Sequence, residues 1–74
     1  MSRDLHLQVN RSGGWRTALT FDMDGVDVEA IQVAAANLVV LADPAGNTKL
    51  RLATADGMQR ALIRWDAKGG WQDA

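Results

Sequence analysis

Four carboxylates lie close together between two apolar segments, and they are the residues best placed to do chemistry. Asp22, Asp24, Asp27 and Glu29 follow the strand-like residues 19–21. A pair of carboxylates can supply a nucleophile and a general acid or base, and a cluster of them can bind a divalent cation. The spacing therefore suggests a catalytic hypothesis and a metal-binding hypothesis.

The run from Leu19 to Val26 resembles the first motif of haloacid-dehalogenase-like phosphatases, an apolar strand followed by Asp-x-Asp-Gly-Thr/Val. The resemblance covers eight residues and implies that Asp22 is the nucleophile and Asp24 an acid/base. That family also needs a parallel doubly wound sheet and later Ser/Thr, Lys and acidic motifs, and residues 23–74 are too few to build them. We therefore expect these carboxylates to serve the start of a helix and the protein not to be an enzyme.

A calcium-binding loop is the second hypothesis, and the spacing disfavours it. An EF-hand loop beginning at Asp22 requires Gly at its sixth position and Glu at its twelfth. Those positions hold Asp27 and Val33. The single histidine, His6, falls on the polar side of a predicted strand, where we expect it to be solvated. The sequence thus predicts no catalytic residue, no metal site and no cofactor.

The stretch from Asp27 to Ala42 predicts the only helix. Asp27 occupies an N-cap position, and Val26 and Ile31 have the spacing of a hydrophobic staple. Pro44 disfavours helical geometry in the residue before it. These signals predict a helix that begins after Asp27 and ends near Ala42.

The predicted helix is apolar on more than one side. At about 100° per residue, the expected core face consists of Val28, Ile31, Ala34, Ala35, Leu38, Leu41 and Ala42. The opposite face has a second apolar stripe, which consists of Val33, Ala36 and Val40. An alternative makes residues 37–42 a strand paired with residues 49–53, because Leu-Val-Val-Leu is β-prone.

Two hairpins flank the helix. Residues 5–9 and 15–21 alternate apolar and polar side chains, and the Asn-Arg-Ser-Gly-Gly segment between them has turn chemistry. Residues 49–53 and 59–65 flank Asp56-Gly57, a strong hairpin signal. The predicted architecture is therefore α+β, with ββαββ order and the helix packed across one face of a small antiparallel sheet.

One pattern occurs twice in the chain. Residues 7–18 and 63–74 share an apolar strand end, Asn or Asp, two variable residues, Gly-Gly-Trp and a later Ala. We interpret the two copies as similar hairpin turns rather than as a duplicated functional unit. The second copy predicts a short fifth strand at residues 70–72 that closes a sheet edge with Trp71.

Length and composition narrow the class of protein. The chain has 74 residues, no cysteine and a formal net charge of −1, so we expect a single small domain over residues 1–74 that is held by apolar packing rather than by disulfides. No segment approaches the roughly 20 apolar residues of a membrane span, and no signal-like N-terminus is present. We therefore expect a cytoplasmic protein that does not bind membranes.

Charge placement suggests one possible binding face. We expect the carboxylates to lie outside the strands, whereas five cations fall inside them and could contact phosphates: Arg16, Lys49, Arg51, Arg60 and Arg64. They would share the face opposite the helix with His6, Gln8, Thr20 and Leu62. Because the predicted phasing buries every Trp, this face lacks an aromatic stacking platform, so we expect nucleic-acid binding to be weak.

The helix stripe suggests a different function. Val33, Ala36 and Val40 recur at i, i+3 and i+7, and an aligned apolar stripe on so small a protein usually meets another surface. The first hypothesis is therefore a non-enzymatic protein-interaction module that forms a homo-oligomer, or binds another protein, through the outer face of its helix. The protein is similar in style to short bacterial and phage-encoded accessory proteins. Those proteins are often of this size and often end in a strand, Asp-Gly, a second strand and Gly-x-Trp. Weak nucleic-acid binding is the alternative.

Overall fold

In the computed structural model, which describes residues 3–74, the chain forms one helix and five strands. The elements are β1 Asp4–Asn10, β2 Trp15–Asp22, α1 Val28–Ala42, β3 Lys49–Thr54, β4 Ala61–Asp66 and β5 Gly70–Asp73. All neighbouring strands are antiparallel, and their order in the sheet is β2-β1-β3-β4-β5. The predicted α+β class, with one helix and an antiparallel sheet, is confirmed. No helix within these residues is long and apolar enough to cross a bilayer.

Local capping fixes both ends of α1. The Asp27 carboxylate accepts a hydrogen bond of 3.1 Å from the backbone amide of Ala30, as the N-cap prediction requires. At the other end the amide of Asp43 donates to the carbonyl of Val39 at 2.8 Å, and Pro44 follows. Residues 37–42 are therefore helical, and the alternative strand is wrong.

The core lies at the centre of the sheet, on the side that faces α1. Leu5 and Leu7 of β1 pack against Leu52 of β3, because β1 and β3 pair in the register Leu7 to Leu52. Partly buried side chains complete this cluster, namely Phe21, Met23, Val28, Ala35 and Ile63. The fully packed core is thus small and belongs mainly to the sheet.

The orientation of α1 differs from the predicted one. Leu38 and Leu41, expected on the core face, are 67% and 80% exposed, and no residue of α1 is buried. The indole Nε1–H of Trp71 instead donates to the Gln32 carbonyl at 3.1 Å, which ties the helix to β5. The half-buried stripe of α1 consists of Val28, Ile31, Gln32, Ala35, Ala36 and Val39.

The two Gly-Gly-Trp segments begin their turns in the same way. The Asn10 side chain accepts from the amide of Gly13 at 3.1 Å, and the Asp66 side chain accepts from the amide of Gly69 at 2.7 Å. In each copy a polar side chain at the strand end therefore holds the amide three residues later. The predicted turn chemistry and the predicted fifth strand are both present.

The two turns then diverge by one residue. Asn10 pairs with Trp15, whereas Asp66 pairs with Gly70, one position earlier in the motif. The positive φ falls on the first glycine of one copy, Gly13 at 106°, and on the second of the other, Gly70 at 69°. Because a shift of one residue reverses the face of every side chain, Trp71 lies on the helix side of the sheet and Trp15 on the opposite side.

Several carboxylates lie inside strands, contrary to expectation. They are the end residues Asp4, Asp22, Asp66 and Asp73. Four strands, β1, β2, β3 and β5, are one or two residues longer than the apolar alternation indicates, because backbone pairing continues past the last apolar side chain, whereas β4 begins at Ala61 rather than at the predicted residue 59. The face opposite α1 is consequently less uniformly basic than the sequence suggests.

We expect Trp71 to contribute strongly to stability. Replacing Trp71 with Ala should lower the free energy of unfolding by about 2 kcal/mol, less than for a fully buried Trp because the side chain is only half buried. Replacing it with Phe retains most of the ring contact but removes the donor to Gln32, and should cost about 1 kcal/mol. Urea denaturation measures both values, and an unchanged midpoint for the Ala variant would contradict this role.

The link between α1 and β3 should make stability depend on pH. The buried Thr48 hydroxyl donates to the Asp43 carboxylate at 2.7 Å, and this bond is the largest influence lowering the Asp43 pKa below 3.8, with the Asn47 amide assisting. Because the folded-state pKa lies below the unfolded value, the stabilisation is complete above about pH 5 and is lost as the pH falls through the folded-state pKa.

Asp43→Asn and Thr48→Val should each flatten the loss of thermal stability between about pH 5 and pH 2 relative to the parent chain. The flattening should be partial, since Asp56 and Asp66 also have lowered pKa values through hydrogen bonds within their turns. Melting curves at a series of pH values test the link. A slope identical to that of the parent in both variants would refute it.

Candidate functional site

In the acidic segment that suggested chemistry, the carboxylates of Asp22, Asp24 and Asp27 make structural contacts. Asp22 accepts from the amide of Asp24 at 2.9 Å, and the Asp24 carboxylate lies 3.3 Å from the Arg3 guanidinium. Asp27 caps the helix. Among residues 3–74, no three acidic, His or Cys side chains are placed to hold a metal ion. These carboxylates therefore organise the start of the helix.

A bulge in β2 changes which side chains occupy the face opposite α1, hereafter the polar face. Leu7 pairs with Leu19, but the next residue, Gln8, pairs with Thr17, so Ala18 is the extra residue. Trp15 and Thr17 consequently lie on the polar face. The predicted burial of every Trp under the helix is wrong for Trp15.

The same bulge moves one predicted phosphate contact. Arg16 pairs with Val9, so it lies on the helix side of the sheet rather than on the polar face. Arg60 precedes β4 and lies in the loop before it, not in a strand. A second register shift occurs at Leu62, which places Ala61 opposite Ala53 instead of under the helix. Three of the five predicted cations, namely Lys49, Arg51 and Arg64, share the polar face.

Gln8 is the centre of a polar cluster on this face. It is 3% exposed, and its Oε1 accepts a 2.6 Å hydrogen bond from Nε of Arg51, whose guanidinium carbon lies 4.3 Å from the centre of the Trp15 ring. The Gln8 amide donates to the Thr17 hydroxyl at 3.3 Å and to Gln59 at 3.5 Å. A cation over an aromatic ring contributes about 0.5–1 kcal/mol at a partly exposed site. Gln8 thus fixes the Arg51 side chain over the ring.

The rest of the polar face is mixed in charge. Lys49 and Arg64 lie near Asp66, whose pKa is lowered first by the hydrogen bond from the Gly69 amide, then by the hydrogen bond from the Lys68 amide, and less by these two cations. A depression of about 450 Å³ opens beside Trp15 and is bordered by Lys49, Arg64 and Asp66. At the other end His6 Nδ1 and Thr20 Oγ1 share a hydrogen bond of 2.6 Å. The basic part of this face is therefore confined to the Trp15 end.

The opposite side of the molecule exposes apolar surface. Val33 and Val40 of the predicted helix stripe are 55% and 53% exposed, and Ala36 between them is half buried. Leu38 and Leu41 extend the exposed surface around the helix. The outward surface of α1 is therefore wider than the predicted stripe and is dominated by the carboxyl-terminal half of the helix.

An apolar groove of about 360 Å³ lies between α1 and the β2 side of the sheet. Its sheet side consists of Leu7, Val9, Ala18, Leu19 and Leu50. Its helix side consists of Ile31, Ala34, Ala35, Leu38 and Val39. We refer to these ten residues as the apolar groove. All of their side chains are aliphatic, so the groove favours a nonpolar occupant.

Sequence reasoning missed the apolar groove and the position of Trp15. The groove arises because the Trp71 indole ties α1 toward β5 through the Gln32 carbonyl, a contact between residues 39 positions apart. The available signal was that α1 is apolar on nearly all sides, because such a helix is normally enclosed by other protein surface. Trp15 had no comparable signal, because the strand alternation continues unbroken across Ala18.

Comparisons of this chain with protein-family models, with curated proteins and with solved structures found no match.

Proposed function

We propose that this protein is a small protein-interaction module that self-associates through the exposed surface of α1. The observation that carries the proposal is a mismatch between the composition and the burial of this helix. Its polar side chains are Glu29, Gln32 and Asn37, and yet none of its residues is buried. A helix that is apolar on nearly all sides is normally enclosed by other structure, so a second protein surface is expected to cover it.

The exposed area supports the same proposal. The accessible surface is 5150 Å², whereas a folded monomer of this mass is expected to expose about 4,450 Å². The excess of about 700 Å² is close to the roughly 800 Å² that each partner contributes to a standard interface. One interface of ordinary size would therefore bring the exposed area to that of a compact protein.

The charge of the helix favours a second copy as the partner. Glu29 is the only charged residue of α1, and it lies in the first turn. Two copies can therefore bring their helices together without burying opposed like charges along the contact. A self-complementary apolar surface is also what a two-fold symmetric dimer requires.

Val40→Glu tests this function. We expect the parent chain to have the mass of a dimer at about 100 μM and the variant to be a folded monomer, because a carboxylate in an apolar interface is costly while Val40 is accessible in the single chain. Light scattering gives the mass, and circular dichroism confirms folding. Met58→Glu is the matched control, since Met58 is 84% exposed in the loop between β3 and β4, outside α1, and its replacement should leave the dimer intact. A monomeric parent chain would refute the proposal.

The position of Trp15 favours a second candidate function, weak binding of single-stranded nucleic acid on the polar face. Trp15 lies beside Lys49, Arg51 and Arg64, and single-strand binders combine such cations with aromatic rings on which bases stack. Net charge of −1 and the nearby Asp66 limit the expected affinity. This face is independent of the surface of α1, so the two functions are compatible.

Replacing Lys49 and Arg64 together with Ala should weaken binding of a labelled single-stranded oligonucleotide. The dependence of log K on log salt concentration should become shallower by about 1.4. Arg16→Ala is the matched control, because Arg16 lies on the other side of the sheet and should leave the slope unchanged. Absence of binding by the parent chain at about 50 mM salt would remove this candidate.

A further inference from the structure

One helix is too narrow to cover this sheet. Five strands at about 4.8 Å spacing place the two edge strands about 19 Å apart, whereas a helix with its side chains is about 10 Å wide. α1 contacts the core through Val28 and Ala35 and reaches β5 through Gln32 and Trp71. The uncovered part is therefore the β2 side, where the apolar groove lies.

We infer that the apolar groove is the seat of α1 from a second copy of this chain. The inference rests on the proposed self-association and specifies the surface that each helix contacts. In the resulting two-fold dimer, two sheets enclose a middle layer that consists of the two helices side by side. Each sheet is then covered by its own helix over its centre and toward β5, and by the partner's helix over β2 and the adjoining part of β1.

The width of a five-stranded sheet and the dimensions of the helix agree with this arrangement. Subtracting the diameter of one helix, about 10 Å, from the sheet width of about 19 Å leaves about 10 Å, which is room for one more helix. The 15 residues of α1 extend about 22 Å at 1.5 Å per residue, which is close to the length of the eight-residue strand β2. A groove lined only by aliphatic side chains also matches the composition of α1 better than that of any other element of the chain.

The arrangement accounts for each side of α1. The half-buried stripe contacts the helix's own sheet. Val33 and Val40, which point away from that sheet, would contact Leu19 of the partner subunit. Ala34 and Leu38, on the groove side of α1, would contact the partner's helix, and the small Ala34 permits a close approach of the two backbones.

This geometry differs from the simpler dimer in which the helix stripe packs on its own copy. In the simpler dimer Ala36 lies at the two-fold axis, and Leu19 remains in solvent. In the groove dimer Leu19 becomes an interface residue although it belongs to the sheet. Leu19 is 45% exposed in the single chain, so its replacement by a polar residue should not unfold the domain.

A pair of matched substitutions tests the role of the groove. Leu19→Glu should raise the dimer dissociation constant at least about 30-fold, as expected for a carboxylate placed in an apolar interface. Leu62→Glu is the control, since Leu62 is 43% exposed but lies in the β4 bulge outside the groove, and it should leave the constant within about twofold. Sedimentation equilibrium measures both constants. Equal constants for Leu19→Glu and the parent chain would overturn the inference.

Cross-linking tests the contact itself and does not depend on a destabilising change. The chain has no cysteine, so Leu19→Cys, Val40→Cys and Ala36→Cys each introduce a single thiol. A short bis-maleimide should join Leu19→Cys to Val40→Cys in a mixture of the two variants. Each of these two variants alone should give much less covalent dimer. Differently tagged chains allow mass spectrometry to identify the mixed product.

The outcomes separate this inference from the proposed function. A monomeric parent chain with no cross-linked product would refute both. A dimer in which Ala36→Cys cross-links to itself and Leu19→Cys is unreactive would retain self-association but overturn the groove. A dimer in which Leu19→Cys cross-links mainly to itself would indicate pairing of β2 edges, and would also overturn the groove.

Discussion

The pairing of β1 with β3 is the interaction on which the rest of the structure depends. It joins the hairpin before α1 to the strands after it, and it places Leu7 beside Leu52 at the centre of the sheet. The two fully buried large side chains, Leu50 and Leu52, both belong to β3. These contacts join residues that are distant in sequence. The core can therefore form only when β1 and β3 come together and close the long loop that contains α1. The helix is positioned by the sheet rather than the reverse.

This order of dependence explains why α1 remains exposed. A sheet that forms its own compact centre needs only a few helix contacts, and Val28 and Ala35 supply them. Trp71 then holds α1 on the β5 side through the Gln32 carbonyl. A helix held at one side of a five-stranded sheet leaves the other side open, so the apolar groove follows from the width of the sheet and the position of one indole. The exposed apolar surface is a geometric consequence of the fold.

Local signals in the sequence predicted the elements well and their faces less well. Caps and turn residues act within a few positions, so Asp27, Pro44 and the two Gly-Gly-Trp segments correctly located the helix, its ends and the fifth strand. The face on which each strand side chain lies can be predicted from alternation only while the register is unbroken, and the bulges at Ala18 and Leu62 break the register. A single extra residue moved Trp15 to the polar face and Arg16 away from it. Strand order was beyond the sequence, because it depends on pairing between β1 and β3 across the helix.

Binding on the two faces of the sheet would draw its free energy from different interactions. On the polar face, Gln8 and Arg51 already satisfy each other, so a ligand there would gain from contact with Trp15 and from attraction to the cations, and salt screens that attraction. On the helix side, the exposed aliphatic groups have no internal partner of comparable area, and their burial would be favourable at any salt concentration. A partner that binds only the folded chain stabilises it by mass action. In a domain with so few buried side chains, association through α1 would therefore supply stability that the small core does not provide by itself.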